Sequence, residues 1–248
     1  MGGVLLAEDI AVGGCSPPGG VIAVWTLNRP EKLNALNRDS HLAIKEQCVR
    51  IESDDSVRAV VIRGAAPPQP EEGKRPKPAA FAAGADISEF AGKNSDDVRE
   101  FFANNAWEAV WNLSKPTIAM VDGFALGGGT ELALACDLRV ASSRAKFGQP
   151  EINLGLIPGG GGTQRLCRLL GYGKAMEMTL TGDMVGAEEA LNIGLVNKVV
   201  EPEGLEEAAM ALAENIARKS PYTVRVAKRA VRAALDLPFA EGVLAERS

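Results

Sequence analysis

The sequence predicts an α/β fold, and two features carry that expectation. Short runs of apolar, often β-branched residues alternate with helical stretches up to about residue 145, after which the pattern turns almost wholly helical. Within the first part, a helix headed by Gly127, Gly128 and Gly129 lies between apolar runs at 117–121 and 138–141, as in a βαβ unit. With 248 residues, 46% hydrophobic and 24% charged, the chain suffices for one large domain with a substantial core, or two small ones.

Taken in order, residues 4–10 and 21–27 read as two strands joined by a loop rich in Gly and Pro. Pro30 then breaks any regular element, and a helix at 38–51 follows with Leu42, Ile44, Cys48 and Ile51 inward and His41 in its first turn. A third strand spans 57–62. Residues 65–80 hold five prolines among charged side chains, a composition that buries too little apolar surface to order itself, so a mobile insertion is expected there. Order is expected to resume at Phe81. A helix at 97–113 places Val98, Phe101, Phe102, Ala106, Val110 and Leu113 on its buried side. After the glycine-headed helix, Pro150 fixes a turn carrying Glu151, and a second glycine run, 159–162, heads a helix at 163–170. Four further helices are expected at 174–180, 187–192, 205–218 and 222–235, the last carrying Arg225, Lys228, Arg229 and Arg232 on one basic face.

Composition narrows the function. A net charge of -5 opposes a general nucleic-acid-binding surface. The four cysteines, Cys15, Cys48, Cys136 and Cys167, form no C-x-x-C pair, which fits a reducing compartment; with neither a signal peptide nor a membrane span in the pattern, a cytoplasmic protein is expected. The glycine runs lack the third glycine of a dinucleotide fingerprint, and no Gly-Lys is followed by Ser or Thr as in a phosphate-binding loop. One histidine and scattered cysteines do not make an ordinary zinc site, so no metal is expected.

Carboxylates and glycine N–H groups remain. The first N–H groups of a helix lack intrahelical partners and favour negative charge, and a glycine there leaves the N–H unshielded. Residues three apart share a helix face, so the N–H of Gly128 and the carboxylate of Glu131 point the same way, pairing an oxyanion site with a proton-transfer group. A tight strand-to-helix turn is the plainer reading of the same residues. Glu151 is a second candidate, provided the chain doubles back to bring it to Glu131; otherwise it is a surface carboxylate of a turn.

Several motifs, in order and over nearly the whole chain, resemble those of the enoyl-CoA hydratase/isomerase (crotonase) family. They are Asn28-Arg29-Pro30 to Leu36, Phe81-Ala82-Ala83-Gly84-Ala85-Asp86-Ile87, the stretch from Gly123 to Asp137, Phe147-Gly148-Gln149-Pro150-Glu151, Ile157-Pro158 to Leu166, and Thr181-Gly182-Asp183 to Val196. The resemblance implies a crotonase-like spiral of β-β-α repeats over residues 1–190 and a helical C-terminal region, 191–248, that builds a trimer, commonly paired into a hexamer. Because the chain ends before the family's usual last helix, that region is expected to be shortened.

The resemblance also implies a CoA thioester substrate, with no separate cofactor, whose carbonyl oxygen accepts N–H bonds from Ala85 and Gly128. Glu131 and Glu151 become the catalytic pair for syn addition of water to a 2-trans-enoyl-CoA. Arg29, Lys32, Ala35, Ala83, Asp86, Ile87, Gly127, Pro158 and Gly159 become substrate-binding positions. For Arg29 and Lys32, solvated surface charge is the alternative; Asp86 is read as structural, capping a helix at Ile87; the second glycine run is otherwise a bare helix start. Where many hydratases carry a lysine after Ala-Asp-Ile, Ser88 stands here. A Δ3-Δ2-enoyl-CoA isomerase, an RNA-binding homologue using the basic helix, and a catalytically silent assembly subunit are the rivals.

Overall fold

The computed structural model describes residues 3–70, 73, 75–90, 92–93 and 105–247. Two sheets organise it. The larger runs β1-β2-β3-β5-β7-β10, built from β1 (Leu5–Ala11), β2 (Val21–Leu27), β3 (Val57–Gly64), β5 (Thr117–Val121), β7 (Leu138–Ser142) and β10 (Lys198–Val200). Only β1 pairs antiparallel; the other neighbours are parallel. The smaller sheet runs β4 (Ala80–Ala82), β6 (Phe124–Leu126), β8 (Lys146–Gly148) and β9 (Val185–Gly186).

Successive stretches of chain feed one strand to each sheet: β3 then β4, β5 then β6, β7 then β8. After β6 comes the glycine-headed helix, and after β8 a short turn and the next helix. This is the spiral of β-β-α repeats. The parallel strands are covered on both faces, which is why they read as unbroken apolar runs. In β2, Ala23, Trp25 and Leu27 point into the main core, while Ile22 and Val24 point to a second apolar layer.

Among the described residues nine α-helices surround the sheets: α1 (Arg38–Glu52), α2 (Ala106–Trp111), α3 (Gly128–Ala135), α4 (Gly162–Leu170), α5 (Tyr172–Thr181), α6 (Ala187–Asn192), α7 (Leu205–Ala217), α8 (Pro221–Ala233) and α9 (Phe239–Ala245). Asn37 caps α1, its Oδ1 accepting the Ser40 N–H at 3.0 Å. In that helix His41, not Leu42, faces inward: Leu42 is 43% exposed, whereas His41, Ile44, Cys48 and Ile51 are buried. The spacing 41, 44, 48, 51 follows one helix face, and Leu42 lies about 100° around from it.

Other expectations are corrected as well. The chain after residue 145 is not nearly all helical, because β8, β9 and β10 lie there. Strand β10 pairs parallel with β7, and Leu205, Ala209, Ala213 and Ala217 of α7 pack against the larger sheet, so a boundary at 190/191 cuts through the core layers. Order resumes before Phe81: Ala80 is buried in β4 and its carbonyl accepts from Asn34 Nδ2 at 2.8 Å. The remainder of the expected 65–80 insertion falls partly outside the described residues, as do Val98, Phe101 and Phe102.

The last expected helix ends at Ala233 and α9 follows it. Its basic row is not a uniform outward face. Arg225 pairs with Asp55 at 3.0 Å, and Lys228 and Arg232 both reach Asp137 at 2.7 Å.

Candidate active site

The head of α3 is shaped by close packing. Gly127 has φ 50° and ψ −122°, a conformation open to glycine, and its N–H donates to Gly148 O at 2.9 Å, tying the helix start to β8. Thr130 reinforces that tie, its hydroxyl donating to Ala125 O at 2.5 Å and accepting the Gly148 N–H at 3.2 Å. A Cβ on Gly129 would collide with the Ala82 carbonyl, so only glycine lets α3 lie directly on β4.

At Gly128 a Cβ would come within 3.2 Å of the Ala85 nitrogen, so the N–H groups of the loop after β4 and of the first turn of α3 are neighbours. Ala85 forms a parallel bridge with Leu36, but that bridge uses the N–H groups of Leu36 and Asp86, not its own. Gly128, in the first helical turn, has an N–H without an intrahelical acceptor. The two amides expected to form an oxyanion site thus lie side by side.

Glu131 is 1% exposed. Its Oε1 accepts the N–H groups of Gly160 at 2.7 Å and Gly162 at 2.8 Å. The second glycine run is therefore not a bare helix start: its amides grip Glu131 by one oxygen and leave Oε2 for other partners. Burial pushes the Glu131 carboxyl above the usual carboxylate range, opposed by the Gly162 and Gly160 N–H groups and by the Arg165 charge.

Glu151 reaches the same region because the chain doubles back. After β7 the chain turns at Ser143 and Arg144 and returns as β8, parallel to β6, which sets the turn Pro150–Leu154 beside Gly127. A Cβ on Gly127 would stand 2.9 Å from Glu151 Oε1. Beside Glu151 sits Gln149, fully buried; with its amide nitrogen toward Glu151 it donates at 2.9 Å and 3.1 Å to the two oxygens, and it lies against Gly162 of the turn that grips Glu131. Burial, and to a lesser degree the Glu131 charge, push the Glu151 carboxyl up to about 7, against a backbone N–H bond that lowers it. One buried carboxyl anchored by two amides thus faces a second poised near neutrality, beside two adjacent N–H donors.

The remaining expected residues separate. The Arg29 guanidinium donates to Asp86 Oδ2 at 2.8 Å and Ala35 O at 2.7 Å, with its side chain only 15% exposed. It is neither a solvated charge nor an outward-facing donor; it braces the loop behind Ala85. Asp86 also accepts the Ser88 N–H and hydroxyl at 3.2 Å and 2.6 Å, so it caps the turn Ile87–Phe90. These bonds hold the Asp86 carboxyl below its usual range, the Ser88 hydroxyl contributing most. Lys32, Ile87 and Gly159 are exposed, Ala35 and Ala83 half-buried, and Pro158 buried.

Three contributors were not singled out from the sequence. Trp107, fully buried on α2, donates its indole N–H to Gly128 O at 2.8 Å and packs against Gly160, touching both glycine turns. In the sequence Gln149 reads only as part of the Phe147–Glu151 motif, and Arg165 only as one position of the stretch ending at Leu166. A tryptophan on the buried side of a helix was the one available signal, and it reads equally well as core. His41 belongs to this support layer: its ring meets Trp107 edge-on at 4.6 Å, its Nδ1 accepts the Ala106 N–H, and burial, with a smaller contribution from Lys45, lowers it to about 4. Among the described residues no group of His, Cys, Asp and Glu is placed to hold a metal ion, and no helix is long and apolar enough to cross a membrane.

Residues 18–248 match the profile of the family described as Enoyl-CoA hydratase/isomerase. A short-chain-enoyl-CoA hydratase of Clostridium acetobutylicum is 46% identical over 214 residues, covering 86% of this chain and 78% of that protein. A crotonyl-CoA hydratase of Syntrophomonas wolfei is 44% identical over 211 residues, covering 84% and 77% respectively. The crystal structure of an enoyl-CoA hydratase subunit from Geobacillus kaustophilus superposes with a TM-score of 0.86 at 40% identity, over 98% of this chain and 87% of that one. With spiral, paired glycine turns and profile in agreement, the chain belongs to the enoyl-CoA hydratase/isomerase family.

Proposed function

We propose that this protein hydrates 2-trans-enoyl-CoA thioesters to 3-hydroxyacyl-CoA in acyl-CoA catabolism. The observation that carries this is the pairing of Glu131 and Glu151, with Gln149 bonded to Glu151, beside the adjacent amides of Ala85 and Gly128. The thioester carbonyl oxygen would accept both N–H groups, which stabilise it as negative charge develops. Glu131, through Oε2, takes a proton from water while the water oxygen bonds to C3. The C2–C3 π electrons move toward the carbonyl, and C2 then takes the proton held by Glu151, giving the saturated 3-hydroxy thioester. Nothing is oxidised or reduced overall, so the step requires no redox cofactor. A carboxyl near 7 supports the acid role, since at neutral pH a large fraction carries the proton to be given.

A Δ3-Δ2 isomerase moves a proton along the acyl chain and needs one shuttling carboxyl. The second, separately held carboxyl favours hydration. For RNA binding, the engagement of Lys228 and Arg232 with Asp137 removes the continuous basic row. A homotrimer, or a hexamer of two trimers, is the assembly we favour. Support comes from the exposed apolar side chains Leu154, Ile157, Tyr172, Leu180, Phe239 and Leu244, more than a lone chain usually leaves open. The free thiols of all four cysteines support a cytoplasmic setting.

The test is hydration of crotonyl-CoA followed by loss of the conjugated enoyl absorbance, with 3-enoyl-CoA isomerisation in parallel. Glu131→Gln is expected to lower hydration kcat by about 10²- to 10⁴-fold. Near-unchanged turnover in that variant, or faster isomerisation than hydration in the wild type, would overturn the assignment.

A further inference from the structure

The grip on Glu131 depends on a turn of consecutive glycines, a segment with little stiffness of its own. Something must hold it from the far side. Arg165, three residues into α4 and only 10% exposed, does so: its Nη1 donates to the Gly160 carbonyl at 2.6 Å, while the Gly160 N–H donates to Glu131. A Cβ on Gly161, at φ 95°, would strike the same guanidinium, so Arg165 lies flat against the turn. Its other nitrogen, Nη2, donates to Glu108 Oε1 at 2.9 Å, and its plane sits 4.7 Å from the centre of the Trp111 ring. Both outer contacts come from α2, the helix whose Trp107 packs on Gly160 and bonds to Gly128.

We propose that Arg165 is a positioning residue for Glu131: it fixes the glycine turn that grips the carboxylate and brings a guanidinium charge within Coulombic reach of it. No contact between Arg165 and substrate is involved. The charged groups around the pair are Glu151 facing Glu131 from the turn after β8, Glu108 on α2, and Arg168 on α4 itself. Lys228 and Arg232 on α8, Asp137 after α3, and Asp236 line the cleft of about 670 Å³ on the outer side of Arg165. Of these, Arg165 is the cation acting on Glu131, and it opposes the effect of burial. Without it, the turn loosens and the carboxyl retains its proton to higher pH.

The kinetic part of the test rests on the hydratase reading; the spectroscopic part does not. Arg165→Met is expected to lower hydration kcat about tenfold or more with KM for crotonyl-CoA within about twofold, and to move the acid limb of the pH–kcat profile to higher pH. Arg165→Lys, which keeps the charge and loses the fork, is expected to lose part of kcat with the limb in place. Infrared difference spectra follow the carboxyl band that vanishes in Glu131→Gln; its midpoint is expected to rise in Arg165→Met whether or not the protein turns over any enoyl-CoA. An unmoved midpoint in a folded Arg165→Met chain overturns the proposal, whereas a wild type inert on enoyl-CoA overturns the hydratase reading alone. Should Arg165→Met not fold, Glu108→Gln serves, since it frees the outer end of Arg165 from an exposed site. A several-fold loss of kcat at unchanged KM supports the proposal, and unchanged kcat overturns it.

Discussion

At the residue scale, two glutamates of one chemistry are made different by their surroundings. Glu131 is anchored by two amides and the Arg165 charge, while Glu151 is shaped mainly by burial and stands at about 7. Glu151 holds its proton to higher pH when folded than when unfolded, where its value is near 4.5. Its favourable contribution is therefore complete below about 4.5 and is lost as pH rises through about 7. Glu151→Gln is expected to gain stability over the wild type between about pH 5 and pH 8, read as urea midpoints at each pH; a gap that does not change with pH would contradict this. Hydration kcat/KM is expected to fall above about pH 7 as that proton is lost, with the midpoint belonging to the coupled pair. The Gly128 and Glu131 pairing was legible because helix spacing alone puts them on one face. Gln149 was not, since a buried amide beside a carboxyl has no local signature.

At the element scale, α3 shows how a helix with every residue buried keeps its ends satisfied. Its start is tied to β8 through Gly127 and Thr130. Its end is held by Arg139, 6% exposed, which donates to Ala133 O at 3.1 Å, Cys136 O at 2.8 Å and Leu195 O at 2.6 Å. The buried guanidinium is stable here because the last carbonyls of a helix carry partial negative charge. Arg139→Ala orphans those carbonyls and is expected to cost about 3–5 kcal/mol in urea unfolding, against under 1 kcal/mol for an exposed arginine. In the sequence Arg139 stood inside a strand run and carried no such meaning. The partner carbonyl of Leu195 lies 56 residues away, beyond the range of any periodicity.

At the scale of the whole molecule, the C-terminal helices divide. Helix α7 is part of the sheet packing, whereas α8 is held to the body by polar and stacking contacts. Lys228 and Arg232 reach Asp137, Arg232 donates to Trp111 O, and its guanidinium lies 3.9 Å from the Trp111 ring centre. With no residue of α8 fully buried, these contacts carry its attachment. The double variant Lys228→Ala, Arg232→Ala is expected to be cut by chymotrypsin at Tyr222 and Phe239 several-fold faster than the wild type, as α8 opens more often, with α3 and the sheets intact by circular dichroism. An unchanged cleavage rate would mean that apolar contacts hold α8. The assembly proposal is checked at the same scale by light scattering, where a stable lone chain would refute it.

By itself, the sequence determined the α/β class, the strands of the larger sheet other than β10, the glycine-headed helix and the two carboxylates worth asking about. Those features are local: they follow from residue spacing, from backbone freedom at glycine and proline, and from the burial pattern of each element. Only the tertiary structure decided that Glu131 is gripped by the second glycine turn, that Glu151 folds back to it past Gln149, and that Arg29 braces a loop from within. It also moved β10 and α7 into the core of a region read as separate and helical. The physical reason is common to all of these. They are contacts between residues far apart in the chain, chosen by which surfaces the spiral stacks together, and no stretch of sequence carries that information alone.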